Sequence, residues 1–248
     1  MKAITKIVSF VLTIVTILSI SSVAYASDAS SNIALVKELL QNGNAETVVA
    51  SAAEAAAIKN EVQAYIDAVT VASETPTVKA KIATKANTLK LSLVTETMEF
   101  SEEALKEFSA SAGTTVESID AFIRGKLSYD KEAAKNAQTL SQSSSQLTAK
   151  GALSTGKAVC QGYSNLFALL TDQAGIETVK VRGYVDGGYH VMNVVRTSDG
   201  TLMAADVTSN DSSDNNWSLE LSFNAYCAKI GFVPAIDVGM AFTVKYGA

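Results

Sequence analysis

The chain contains a single histidine, His190, and two cysteines, Cys160 and Cys227. A thiol becomes a good nucleophile at neutral pH when a base stands beside it. A third group must then orient the imidazole and stabilise its cation. Cys160, His190 and Asp206 supply one residue for each role, with His190 30 positions after Cys160 and Asp206 16 positions after His190. Cys160 lies near the start of a segment bracketed by Gly156 and Gly175 that reads as a helix. N-terminal N–H groups there favour a thiolate and can hold an oxyanion. The same segment has a plainer reading. Cys160, Tyr163, Phe167, Leu170 and Ala174 follow a 3-4-3-4 helical spacing, which also suits a small core residue on an apolar stripe.

Whether His190 and Asp206 meet depends on a turn. Tyr189 to Arg196 and Leu202 to Val207 read as strands separated by Ser198-Asp199-Gly200. A three-residue loop with Gly200 left-handed sets Thr197 opposite Thr201 and His190 opposite Thr208. Asp206 then shares His190's face as a diagonal neighbour, about 7–8 Å away at the backbone. A two-residue loop would put the two on opposite faces.

The remaining elements must carry this constellation. Only Gly43 of the 14 glycines precedes position 113, and Ser27 to Ala112 holds just three aromatics, Tyr65, Phe100 and Phe108. This stretch reads as mainly helical: Ile33 to Leu40 stopping near Gly43, then Ala45 to Val69 with Ile58, Val62, Tyr65 and Val69 on one face. Thr75-Pro76 breaks the pattern, Leu89, Leu91 and Leu93 alternate as in a half-buried strand, and Ser101 opens a further helix. Beyond Gly113, Thr114 and Glu117 have capping-box spacing before Ile119 and Phe122, and Gln138 to Gln146 reads as a loop. Val179 to Val185 reads as another strand and Phe242 to Tyr246 as a closing one. Helices followed by an antiparallel sheet make an α+β arrangement.

Lys2 and Lys6, an uncharged apolar run from Ile7 to Ile20, and Ala24-Tyr25-Ala26 have the form of a secretory signal peptide cleaved before Ser27. The run is short for a transmembrane helix, so the expected location is secreted or cell-surface, with no stable membrane span after cleavage. The formal charge of −5 argues against nucleic-acid binding, which needs clustered Lys and Arg. In an exported chain a Cys160–Cys227 disulfide stays open. Asp206, Asn210, Asp211 and Asp214 lack the EF-hand spacing, and one His with two distant Cys forms no usual zinc set, so no metal is expected. Cys–His chemistry itself needs no cofactor.

Three segments together resemble the transglutaminase-like (papain-like Cys-His-Asp) superfamily, in the form of an exported bacterial-type member. Gly156-Lys157-Ala158-Val159-Cys160-Gln161-Gly162-Tyr163-Ser164 is similar to its nucleophile motif, His190-Val191-Met192-Asn193 to its His-x-Trp-Asn, and Ala205-Asp206-Val207-Thr208-Ser209-Asn210-Asp211 to its Asp-x-Thr-Trp-Asp-Asp. Ile119 to Phe122, Leu127-Ser128-Tyr129-Asp130 and Leu153 fit the segments that precede this core in bacterial members. Met192 and Ser209 depart from the pattern, each standing where the family usually has Trp.

The chain is thus expected to divide into a signal peptide at 1–26, a mainly helical region at 27–112 and, from the resemblance, a transglutaminase-like domain at 113–248 whose nucleophile helix packs on an antiparallel sheet. The resemblance implies Cys160, His190 and Asp206 as a catalytic triad working through a thioester on peptide-like amides. The Cys160 backbone N–H is the expected oxyanion donor, with Gln161 a candidate for the second. Hydrolysis by water and transfer to an amine both remain open, and the expected partner is a peptide or protein of the cell wall or cell surface. The alternative is a non-catalytic binding module on the same fold.

Overall fold

A computed structural model describes residues 29–70, 74–83, 87–97, 100–136, 139–141, 144–213 and 217–247. The expected signal peptide lies outside them, as does Asp214.

The N-terminal part opens with α1 (Ala29–Asn42), which ends at Gly43 in the left-handed conformation. It continues through β1 (Asn44–Val48), α2 (Ala52–Val69), β2 (Glu74–Ala83) and β3 (Thr88–Thr97). The single helix expected from Ala45 to Val69 is therefore split. Residues 44–48 pair antiparallel with residues 88–92, with Ala45 buried between exposed neighbours as a strand requires. The helix starts after Ser51, whose side chain accepts from the Glu54 N–H. Val62, Tyr65 and Val69 are buried, as the helical spacing predicts. The small sheet has the order β1-β3-β2. Pro76 sits in its edge strand, where a missing N–H breaks no interior ladder. Helix still outweighs strand across this region.

The chain then forms α3 (Glu102–Ala112), α4 (Val116–Lys126), β4 (Ser128–Tyr129), α5 (Lys131–Lys135), α6 (Ala149–Thr155), β5 (Lys157–Ala158) and α7 (Cys160–Gln173). After these come β6 (Thr178–Val185), β7 (Gly188–Arg196), β8 (Leu202–Ala205), α8 (Val207–Ser213), α9 (Phe223–Ile230), β9 (Phe232–Pro234) and α10 (Val238–Tyr246). Two local expectations are corrected. The capping box of α4 uses Thr115 and Ser118, one residue later than read. Phe242 to Tyr246 is the end of a helix rather than a closing strand: Asp237 caps it, and the Phe242 and Tyr246 rings stack one turn apart at 5.9 Å. A short apolar run does not carry enough periodicity to separate the two states.

The second sheet is antiparallel in the order β8-β7-β6-β9. Helix α7 covers one face, where Asn193 donates to the Ser164 carbonyl at 3.2 Å and Lys180 to Asn165 at 2.9 Å. The other face, with Val179, Val181, Met192 and Val194, merges into one apolar cluster with Val36, Leu39, Val62, Tyr65, Ile66 and Leu89. Residues with no chemistry of their own thus form the back wall of the sheet that carries His190. The result is an α+β fold with a helix-on-sheet core.

Candidate active site

Cys160 is the first residue of α7 and is buried. The chain leading to it is pinned on two sides. β5 pairs parallel with β4, setting Tyr129 beside Ala158, and the Val159 N–H donates to the Gln146 carbonyl at 3.1 Å. Gly162 explains itself by contact: a Cβ there would lie 2.4 Å from the Gln146 oxygen and 2.8 Å from the Ala158 Cβ. Tyr163 is buried, and its hydroxyl donates to Asp211 at 2.6 Å, tying α7 to α8. The Cys160 N–H belongs to the first turn of α7, where helix geometry provides no intrahelical acceptor. Gln161 follows it in the same turn.

The hairpin turn takes the three-residue form. Gly200 is left-handed (φ 85°), the Thr197 N–H donates to the Thr201 carbonyl at 2.9 Å, and Asn193 pairs with Ala205. β8 stops at Ala205, so no strand continues to place Thr208 opposite His190; the chain turns into α8 instead. That turn brings Asp206 closer than a sheet diagonal would. Its Oδ2 lies 2.7 Å from His190 Nε2. The Cys160 thiol lies close enough to the same imidazole to raise its pKa. With Nε2 held by the carboxylate, Nδ1 is the ring nitrogen left for the sulfur. The three sequence-predicted residues therefore meet.

Asp206 has no exposed surface. Oδ2 also accepts from the Tyr226 hydroxyl at 2.7 Å and the Ser209 hydroxyl at 2.8 Å, while Oδ1 accepts from the Ser209 N–H at 3.1 Å. Its own N–H donates to Ser218 Oγ at 3.1 Å. Burial alone would raise this carboxyl's pKa, but His190, Tyr226 and Ser209 hold it below the usual carboxylate value. Burial likewise opposes charge on His190, yet Asp206 and Cys160 push its pKa up to about 10. Both neighbours thus favour the charged imidazole.

Sequence reasoning missed Tyr226, which has no motif around it. It marked Ser209 only as a departure, whereas the hydroxyl and N–H of that residue both serve Asp206. The other departure, Met192, is buried in the back-face cluster. Cys160 and Cys227 are both free thiols. Tyr129 is exposed and within electrostatic reach of Cys160 and Asp206. Tyr189 reaches Cys160 in the same way, and its sheet partner Tyr184 and the neighbouring Val233 are exposed on the same face. Among the described residues, no group of three His, Cys, Asp or Glu side chains is arranged to hold a metal ion, and no helix is long and apolar enough to cross a membrane.

Residues 100–217 match the sequence profile of the Transglutaminase-like superfamily. That segment contains Cys160, His190 and Asp206. No curated protein matches the chain in sequence. Among solved structures, a TGase crystal structure aligns with a TM-score of 0.37 at 16% identity, over 55% of this chain and 45% of that one. A candidate cysteine protease from Cytophaga hutchinsonii aligns with a TM-score of 0.35 at 13% identity, over 54% of this chain and 64% of that one. The aligned part spans less than two thirds of either structure.

Proposed function

We propose that the protein is an exported thiol acyl-transfer enzyme acting on peptide-like amides. The observation that carries this reading is the 2.7 Å contact between His190 Nε2 and Asp206 Oδ2, with the Cys160 thiol on the same imidazole at a helix start. An imidazole whose charged form is favoured can take the thiol proton for the attack. The thiolate attacks the amide carbon and the carbonyl electron pair moves to oxygen, to which the Cys160 N–H donates a hydrogen bond. The oxyanion collapses, the C–N bond breaks, and His190 gives its proton to the departing amine. A thioester on Cys160 remains. Water or a second amine then attacks it, His190 takes a proton from the attacker, and the thiolate is restored. Hydrolysis and transamidation share every step up to the thioester, so the acceptor admitted to the cleft decides between them.

The signal-peptide pattern supports a substrate outside the cell, among cell-wall or cell-surface peptides and proteins. Exposed Tyr129 gives the surroundings of the thiol an aromatic character, and exposed Tyr184 and Val233 continue an apolar face from Tyr189, which supports a peptide side chain as the occupant.

Purified mature protein is incubated with a thiol alkylator from pH 4 to 9, and both cysteines are read by mass spectrometry. Cys160 is expected to label rapidly at pH 5 to 6, where Cys227 stays inert because burial pushes its thiol up to about 11. His190→Ala is expected to abolish that difference. Equal, slow labelling of both cysteines would support a binding module instead.

A further inference from the structure

Asp206 is held by groups that the superfamily pattern does not supply. Ser209, standing in a Trp position, gives Asp206 two donors. Tyr226 gives a third and lies beyond residue 217, where the profile match ends. We propose that Tyr226 is a positioning residue for the Cys160–His190–Asp206 site, its hydroxyl fixing the Asp206 carboxylate in line with the imidazole.

Three observations argue for a fixed geometry. First, Tyr226 is fully buried, and its hydroxyl and the imidazole reach the same oxygen at 2.7 Å each. With the Ser209 hydroxyl also on Oδ2 and the Ser209 N–H on Oδ1, rotation of the carboxylate would break several bonds at once. Second, both arms grow from one anchor. Asp206 directly follows β8, and α9, which presents Tyr226, is bridged to that strand by the Met203–Ser222 pair and by the Ala204 N–H donating to the Leu221 carbonyl at 3.3 Å. Third, the ring is clamped. Trp217, the only tryptophan of the chain, lies 5.0 Å away at 34° to it, and Lys229 sits 4.3 Å above the indole. Tyr226 and Trp217 thus set an aromatic pair beside the Asp206 carboxylate. Burial and the neighbouring carboxylate keep the Tyr226 hydroxyl protonated, so it stays a donor throughout the working pH range.

The inference rests on Cys160 being an activated nucleophile, so the test reads both. Alkylation of Cys160 between pH 4 and 9 is followed in the parent protein, in Tyr226→Phe and in Ser209→Ala, alongside thermal unfolding. Tyr226→Phe keeps the ring and its contact with Trp217. Losing one donor to a buried carboxylate should lower labelling at pH 6 about tenfold and move the acid limb of the profile up by about one pH unit. Ser209→Ala should move the limb in the same direction and keeps the question open to test if Tyr226→Phe folds poorly. Tyr246→Phe is the control: it removes another tyrosine hydroxyl, bonded at Thr178, and should change melting temperature without moving the limb. A parent Cys160 that labels rapidly at acidic pH, with a limb unmoved by Tyr226→Phe or Ser209→Ala, overturns the positioning role alone. A parent Cys160 no faster than Cys227 overturns both readings.

Discussion

Asp206 and Asp120 are both fully buried carboxylates, and both touch the same short helix. Asp206 precedes α8 and accepts the Asn210 N–H at its backbone carbonyl, while the side-chain amide of Asn210 donates to Asp120 Oδ1 at 2.8 Å. Burial raises the pKa of each, but the outcomes differ. Asp206, with the imidazolium, Tyr226 and Ser209 around it, ends below the ordinary value near 3.8. Asp120, with Arg124 at 2.7 Å and Asn210, ends above it. Burial therefore does not tell a working carboxylate from a structural one; the donors around it do. Asp206 is held ionised against burial beside His190, whereas Asp120 anchors α8 to α4.

Neutralising each in turn should break the symmetry most strongly. Asp206→Asn keeps the shape but removes the charge opposite His190. Cys160 alkylation at pH 6, and any acyl transfer assigned to the protein, should fall by at least ~100-fold. Asp120→Asn should change the same rate by less than about threefold, because the amide oxygen it introduces can still accept from Asn210. Equal losses in the two variants would make Asp206 a structural acid like Asp120.

Asp206 was legible because the three-residue turn brings the end of β8 towards His190 and because it stands inside a recognisable run. Asp120 was not, since an acid in an amphipathic helix looks solvent-facing until Asn210, 90 residues later, meets it. Tyr226 failed for the same reason: nothing near it in sequence signals the carboxylate. The nucleophile helix, three strands and the hairpin turn were readable because their signals are local. The split of Ala45 to Val69 and the helical end of the chain were not, because pairing with β3 and packing on the sheet decided them.

Gly183 gives a second, milder way to disturb the Asp206 side without touching a carboxylate. It faces His190 across β6 and β7, and Phe232 stands edge-on to the imidazole at 6.2 Å. A Cβ at 183 would lie 2.5 Å from Phe232 Cζ and 2.3 Å from the Val233 carbonyl oxygen. Gly183→Ala should cost about 1–3 kcal/mol of stability in denaturant unfolding through overpacking. It should also slow Cys160 alkylation by less than Asp206→Asn does. A variant with parental stability and rate would show that the ring does not brace the imidazole.

The smallest effect belongs to Arg124 and sharpens the contrast through pH. A carboxyl whose folded pKa is raised stabilises the fold fully below its unfolded pKa near 3.8, and loses that contribution as pH rises through the folded value. Asp206 has the opposite sign: its contribution is present above 3.8 and disappears as pH falls through its lowered value. His190 adds stability that is complete below about 6.5 and fades as pH approaches about 10. Arg124→Met keeps most of the side chain and removes one of Asp120's two side-chain donors. Asp120 then becomes still easier to protonate. The variant should lose about 1 kcal/mol at pH 7, where ionisation is costliest, and almost nothing at pH 4. Alkylation of Cys160 should not change. A deficit larger at pH 4 than at pH 7 would mean that Asp120 is held ionised like Asp206, and the distinction between the two carboxylates would fail.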